Sequence, residues 1–195
     1  MPHRKTILEI IQDHSAPMEP EPTGVQPHTR KLPGIRAVLF DVYGTLLQSG
    51  VGDISLADKS AANKEASIRE ALAAAGLTIT DNGINPLAQL FQDTLSAHQD
   101  IRRSDDVQNP EVDIEAVWED YLTELDAAGV VTGSTRGSVI KNLAVHYEVR
   151  VNPVWPMPGM EEALAHFRAE KMPMSIISNA QFFTPLLFPA LLDQP

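Results

Sequence analysis

Two short apolar runs, each stopped by a polar residue at a turn, constrain this chain more than any other feature. The first, Ile35 to Phe40, is apolar apart from Arg36 and ends at Asp41, with Val42-Tyr43-Gly44-Thr45 directly behind it. The second, Met174-Ser175-Ile176-Ile177, ends at Ser178-Asn179. Runs this short and this continuous are expected for strands of a parallel sheet covered on both faces. Pro158 to Lys171, just before the second run, has a proline at its start, Glu161 and Glu162 in its first turn and a basic last turn. With Met160, Ala163, Leu164 and Phe167 on one side, it reads as a helix with matched ends. Strand, helix and strand make a βαβ unit, and sequential strands of such a unit usually lie side by side.

A crossover needs little more than its helix, yet roughly 115 further residues separate the two runs. From about residue 56 to 150 the chain shows four helical patterns and little that reads as strand. They run Ser60–Gly76, Pro86–Arg103, Pro110–Gly129 and Ser134–Val149, with apolar residues such as Leu87, Leu90, Phe91 and Leu95, or Val117, Trp118, Tyr121, Leu122 and Leu125, at helical spacing. A small helical bundle inserted into the βαβ unit and seated on the sheet is the expected arrangement. Upstream, Lys5 to His14 predicts a short amphipathic helix with Ile7, Ile10 and Ile11 on one face, marginal if isolated. Ser15 to Gly34 holds five prolines and few apolar residues. That composition predicts an arm.

The net charge of −11 argues against binding to nucleic acid or to an acidic membrane, since polyanions attract basic faces. Small ligands are expected instead. The absence of cysteine excludes disulfides, thiolate chemistry and Cys-based metal sites. The six histidines show no metal-ligand spacing. No apolar run approaches the roughly 20 residues needed to cross a bilayer, and the first residues lack the core of a signal peptide. A cytoplasmic location is the default expectation.

In a parallel α/β sheet, ligands sit outside the carboxyl ends of the strands. Asp41 and Ser178-Asn179 occupy those ends. If the strands are neighbours, one carboxylate, one hydroxyl and one amide share a crevice roofed by the inserted helices. A carboxylate beside a Gly44-Thr45 turn, whose N–H groups can face an anion, suits a covalent nucleophile. Ser178 and Asn179 suit the holding of anionic oxygens. Taken singly, each pattern is also an ordinary strand-to-turn junction or cap. Arg102 and Arg103 end a helix, where cations are favoured locally.

"FDVYGTLL" at 40–47 resembles the first motif of the haloacid dehalogenase (HAD) superfamily, and "MSIISNA" at 174–180 resembles its second. "MPGMEEALAHFRAEKMPM" between them is similar to the helix these proteins carry there. The resemblance covers residues 35–47 and 156–188. It implies a HAD-like α/β core of doubly wound parallel type at 34–47 and 156–195, a four-helix cap at 48–155, and an N-terminal helix and arm at 1–33. By the same resemblance Asp41 is the nucleophile, and Tyr43, Gly44, Thr45, Ser178 and Asn179 bind a small anionic substrate. Tyr43 stands where HAD phosphatases usually carry a second Asp, and a phenol with a reference pKa of about 10 is poorly matched to acid–base work at neutral pH. Asp-x-Tyr-Gly-Thr instead resembles the 2-haloacid dehalogenase branch, which needs no metal. Packing under the cap is an equal reading for Tyr43. A phosphatase-like member would bind Mg2+ through Asp41.

The family's third motif, with a lysine, and its fourth, with magnesium-binding acids, have no match here. Lys171 precedes the second run, and Asp193 is the sole acid after it. A doubly wound core normally has about five strands, and two are legible. The expectation is therefore a fragment of a longer hydrolase, with exposed apolar sheet faces and an unpaired strand edge. The alternative is a catalytically incompetent fragment or a non-enzymatic binding module.

Overall fold

The helical spacing read from the sequence places the helices well. A computed structural model describes residues 5–50, 61–80, 86–103, 107 and 110–192, without the side chains of 61 and 62. The described residues form a mixed α/β structure with seven helices and three two-stranded sheets. Part of the glycine-rich stretch after the first motif, Val51 to Ser55, and the loop acids Asp105 and Asp106 lie outside them, as does Asp193.

Helix α1 (Ile7–His14) opens on a capping box. The Thr6 side chain receives the Glu9 N–H, and the Glu9 carboxylate receives the Thr6 N–H at 2.7 Å. Such reciprocal capping satisfies two otherwise orphaned donors. Residues 15–37 form no helix or strand, and nearly all are exposed. Strands β1 (Val38–Phe40) and β2 (Leu47–Ser49) flank the first motif. Helices α2 (Ala61–Ala74), α3 (Leu87–Arg102), α4 (Ile114–Ala127) and α5 (Ser138–Val151) follow, with a two-residue ribbon of β3 (Thr78–Ile79) and β4 (Val131–Thr132) between them. Strand β5 (Val154–Pro156), helix α6 (Met160–Ala169), strand β6 (Met174–Ile176) and helix α7 (Thr184–Leu191) complete the order.

β1 and β6 pair in parallel, with Val38 opposite Met174, Leu39 opposite Ser175 and Phe40 opposite Ile176. The two runs are thus neighbours. They are not covered on both faces, however: Leu39 is 61% exposed and Ile177, two residues beyond its partner Ser175, is 65% exposed. The reason is architectural. Phe40 meets Phe167 of α6 at 5.9 Å between ring centroids, so a helix covers one face, while two strands are too few to enclose the other. β1 also starts at Val38 rather than Ile35, because the β6 segment reaches no further back than the Pro173 carbonyl, which accepts the Val38 N–H at 2.9 Å.

A second sheet was not legible in advance. β2 pairs antiparallel with β5, Leu47 opposite Pro156 and Ser49 opposite Val154. These are the two passages between the βαβ unit and the inserted helices. The ribbon is extended by Gly50 N–H to Pro153 O at 2.7 Å and Met157 N–H to Leu46 O at 2.8 Å.

Burial is divided between two clusters. The first lies among α2, α3, α4 and α5, where Phe91 stacks on Trp118 at 4.2 Å and Tyr121 and Tyr147 close around them. The second joins Ile10 and Ile11 of α1, Val42, Leu46 and Leu47 of the first motif, Val145 and Val149 of α5, and Phe183 and Leu187 near or in α7. α1, marginal alone, is held because Ile10 and Ile11 are completely buried there.

Candidate active site at the strand ends

Strand β1 delivers Asp41 and strand β6 delivers Ser178, because parallel pairing in register puts both carboxyl ends on one edge. The pairing continues one step past the strands: the Ile177 N–H donates to the Phe40 carbonyl at 2.9 Å. Asp41 and Ser178 are the next residues on each chain. Asp41 and Asn179 are exposed and Ser178 is half-buried, with its Oγ 3.5 Å from the Asn179 carbonyl.

Behind Asp41 the chain makes a tight, internally bonded turn. The Val42 carbonyl receives the N–H groups of Thr45, Leu46 and Leu47 at 3.2, 2.8 and 2.9 Å, and Gly44 N–H donates to Leu47 O at 2.7 Å. The Thr45 and Gly44 N–H groups are thereby engaged within the turn, not free to face an anion. Gly44 has φ +78°, a left-handed conformation that glycine adopts without the Cβ penalty. Gly44 and Thr45 are both exposed, whereas Val42 and Leu46 anchor the turn in the second cluster.

Tyr43 faces inward. Its hydroxyl lies 3.0 Å from Thr184 Oγ1 at the start of α7. It lines a small recess with Ile11, His14, Glu148 and Phe183. Burial raises its pKa above the ordinary phenol value, the Thr184 hydrogen bond opposes this, and Glu148 adds to the rise. At neutral pH this phenol is a protonated donor or acceptor, not a base. Its contacts tie the turn after Asp41 to the helix after Ser178-Asn179.

The loop between β6 and α7 reaches the inserted helices through residues that motif reading passed over. The Gln181 side chain donates to Val112 O at 3.2 Å and accepts the Ile114 N–H at 3.4 Å, bridging to the start of α4. Lys141 of α5 sits 5.2 Å above the Phe182 ring, a cation–π distance. A glutamine two residues past a strand-end Ser-Asn carries no motif signal, so this bridge was invisible. Arg102 and Arg103 serve local ends: Arg102 donates to Glu111 O at 3.1 Å, and Arg103 pairs with Asp100 at 2.9 Å.

Among the described residues no three His, Asp or Glu side chains gather into a metal-binding group. Within the described residues Asp41 belongs to no such group, and Mg2+ held by it would need further ligands such as substrate oxygens. No helix among the described residues is long and apolar enough to cross a membrane. No family model, curated protein or solved structure matches the chain.

Proposed function

We propose that the chain carries the site of a HAD-like hydrolase acting through a covalent Asp41 intermediate on a small anionic substrate, a 2-haloacid or a phosphate monoester. The supporting observation is the parallel register of β1 with β6, which brings Asp41 and Ser178-Asn179 off adjacent strand ends. In the haloacid reaction an Asp41 oxygen bonds to the carbon bearing halogen, the carbon–halogen bond breaks and halide leaves. Water then attacks the ester carbonyl, giving the 2-hydroxy acid, a proton and the free carboxylate. With a phosphate monoester the oxygen bonds to phosphorus, the alcohol leaves with a proton, and water releases phosphate. In both, Ser178 and Asn179 orient the anionic group by hydrogen bonds. Tyr43, turned toward Thr184, holds the turn and leaves acid–base chemistry to water or substrate, which favours the haloacid substrate.

Chloride release from 2-chloropropanoate without added metal tests the first substrate, and magnesium-dependent turnover of p-nitrophenyl phosphate the second. Asp41→Asn is expected to lower either rate by at least about 1000-fold, since a nucleophile acts as an all-or-none part. Unchanged turnover refutes the assignment.

A second reading, a module that binds the anion without turnover, is favoured by the exposure of Asp41 and Asn179, because water-excluded sites are where such groups gain most. Saturable binding of 2-chloropropanoate, with no chloride released, identifies it.

A further inference from the structure

α1 is a tethered helix seated on the back of the candidate site. Residues 15–37, with five prolines and no helix or strand, join it to β1. It packs against α5 and α7, and Ile11 and His14 line the same recess as Tyr43. What keeps it there is mostly apolar, and a histidine pair adds a contact of a different kind. The His14 ring, in the last turn of α1, meets the His146 ring of α5 edge to face at 6.1 Å between centroids.

His146 is 7% exposed. Its Nδ1 lies 3.4 Å from Nη1 of Arg150. A guanidinium only donates, so Nδ1 accepts and the ring is neutral with its proton on Nε2. Arg150 is fixed in place by the His146 backbone carbonyl at 2.6 Å and by Glu70 of α2 at 3.2 Å. A proton on Nδ1 removes the acceptor and sets two cations side by side. On the other ring, His14 Nδ1 donates to the Ile10 carbonyl at 2.9 Å.

The charged groups around the pair are these. From the α1 side come Lys5, which pairs with Asp13, Glu9 in the capping box, and His14. α5 brings Arg150 and Glu148, whose carboxylate accepts from Asn152. α2 brings Glu70, engaged by Arg150, and the first-motif turn brings the Tyr43 phenol. α7 carries no titratable side chain.

We propose that the His14–His146 contact is an acid-sensitive latch, and that protonation of His146 releases α1 from α5 and α7 while the α2–α5 cluster stays folded. Burial first, and then Arg150, His14 and Lys5, push the His146 imidazole down to about 4 from 6.5. A depressed imidazole pKa stabilises the docked state at neutral pH, and that stabilisation is lost as pH falls from about 6.5 toward about 4. His146 meets α1 directly through the His14 ring, whereas Leu122 and Leu125 of α4 are buried among the apolar residues of the first cluster, so the loss is expected at α1 first.

Amide hydrogen exchange on the full chain, corrected for intrinsic rates, reads this directly. Between about pH 7 and about pH 4.5, amides of α1 such as Ile10 are expected to lose at least about tenfold more protection than those of α4 such as Leu122. His146→Gln, which cannot take a proton, is expected to abolish the difference. His14→Gln, at a half-buried position that tolerates the change, is expected to reduce it several-fold and keeps the test decisive if His146→Gln does not fold. Parallel loss in α1 and α4, no loss at all, or the full α1-specific loss persisting in either variant overturns the latch.

Discussion

Tyr43 shows how one side chain's direction decides between roles that the letters leave open. Asp-x-Tyr-Gly-Thr is compatible with a phenol facing substrate and with one packed inward, and the 3.0 Å approach to Thr184 puts it inward. The partner lies 141 residues away, where Thr-Pro reads only as a helix start, so the pairing was not legible. Tyr43→Phe removes one net hydrogen bond and is expected to cost about 0.5–1.5 kcal/mol. Thr184→Val leaves the phenol in an apolar surrounding without that partner, at about 1–3 kcal/mol. Urea unfolding of both single variants and the double variant measures the bond: the double variant is expected to lose less than the sum, by about 0.5–1.5 kcal/mol. Strict additivity removes the tie. Gly50 carries a similar lesson. A Cβ there would come within 2.7 Å of Pro153 Cγ, and its N–H is bonded to the Pro153 carbonyl. Gly50→Ala is expected to destabilise by about 1–3 kcal/mol through overpacking at the β2/β5 ribbon.

At the scale of elements, the helices and the apolar β1 and β6 runs were legible, while the strands of the β2/β5 and β3/β4 ribbons were not, for one physical reason. Helical periodicity is local: Val117, Trp118, Tyr121, Leu122 and Leu125 recur within α4 and all are fully buried. A three-residue strand is defined by a partner far along the chain, and nothing in Leu47-Gln48-Ser49 or Val154-Trp155-Pro156 announces that the two will pair. Pro156 even argues against a strand, though at the end of a two-stranded ribbon its missing N–H costs little. α1 tests the balance between local and tertiary terms. Its capping box is a local signal, and Thr6→Ala is expected to cost about 1 kcal/mol. Ile11→Ala, which empties a fully buried place in the second cluster, is expected to cost about 2–5 kcal/mol. Equal effects in thermal or urea unfolding would mean that α1 is held by its own helicity rather than by α5 and α7.

Across the whole molecule, the candidate site sits at the junction between a well-packed helical cluster and a sheet that is apolar and open. Leu39 and Ile177, at 61 and 65% exposure, lie on the sheet face that α6 leaves open, and Ile176 is 48% exposed on the other, beside strand edges unpaired among the described residues. Such a surface favours association. Ile177→Thr is expected to change stability by no more than about 0.5 kcal/mol while raising the concentration at which light scattering sets in. Unchanged scattering would mean that another surface drives association. The same sheet presents Asp41, whose carboxylate, on the proposed function, forms a covalent ester with the substrate. Turnover of 2-chloropropanoate or p-nitrophenyl phosphate with hydroxylamine present, followed by peptide mass spectrometry, tests it most directly, because an aspartyl ester or acyl phosphate is converted to a hydroxamate. A hydroxamate confined to the peptide containing Asp41 and absent from Asp41→Asn is predicted. Turnover that leaves Asp41 unmodified, or that marks another residue, would contradict the claim.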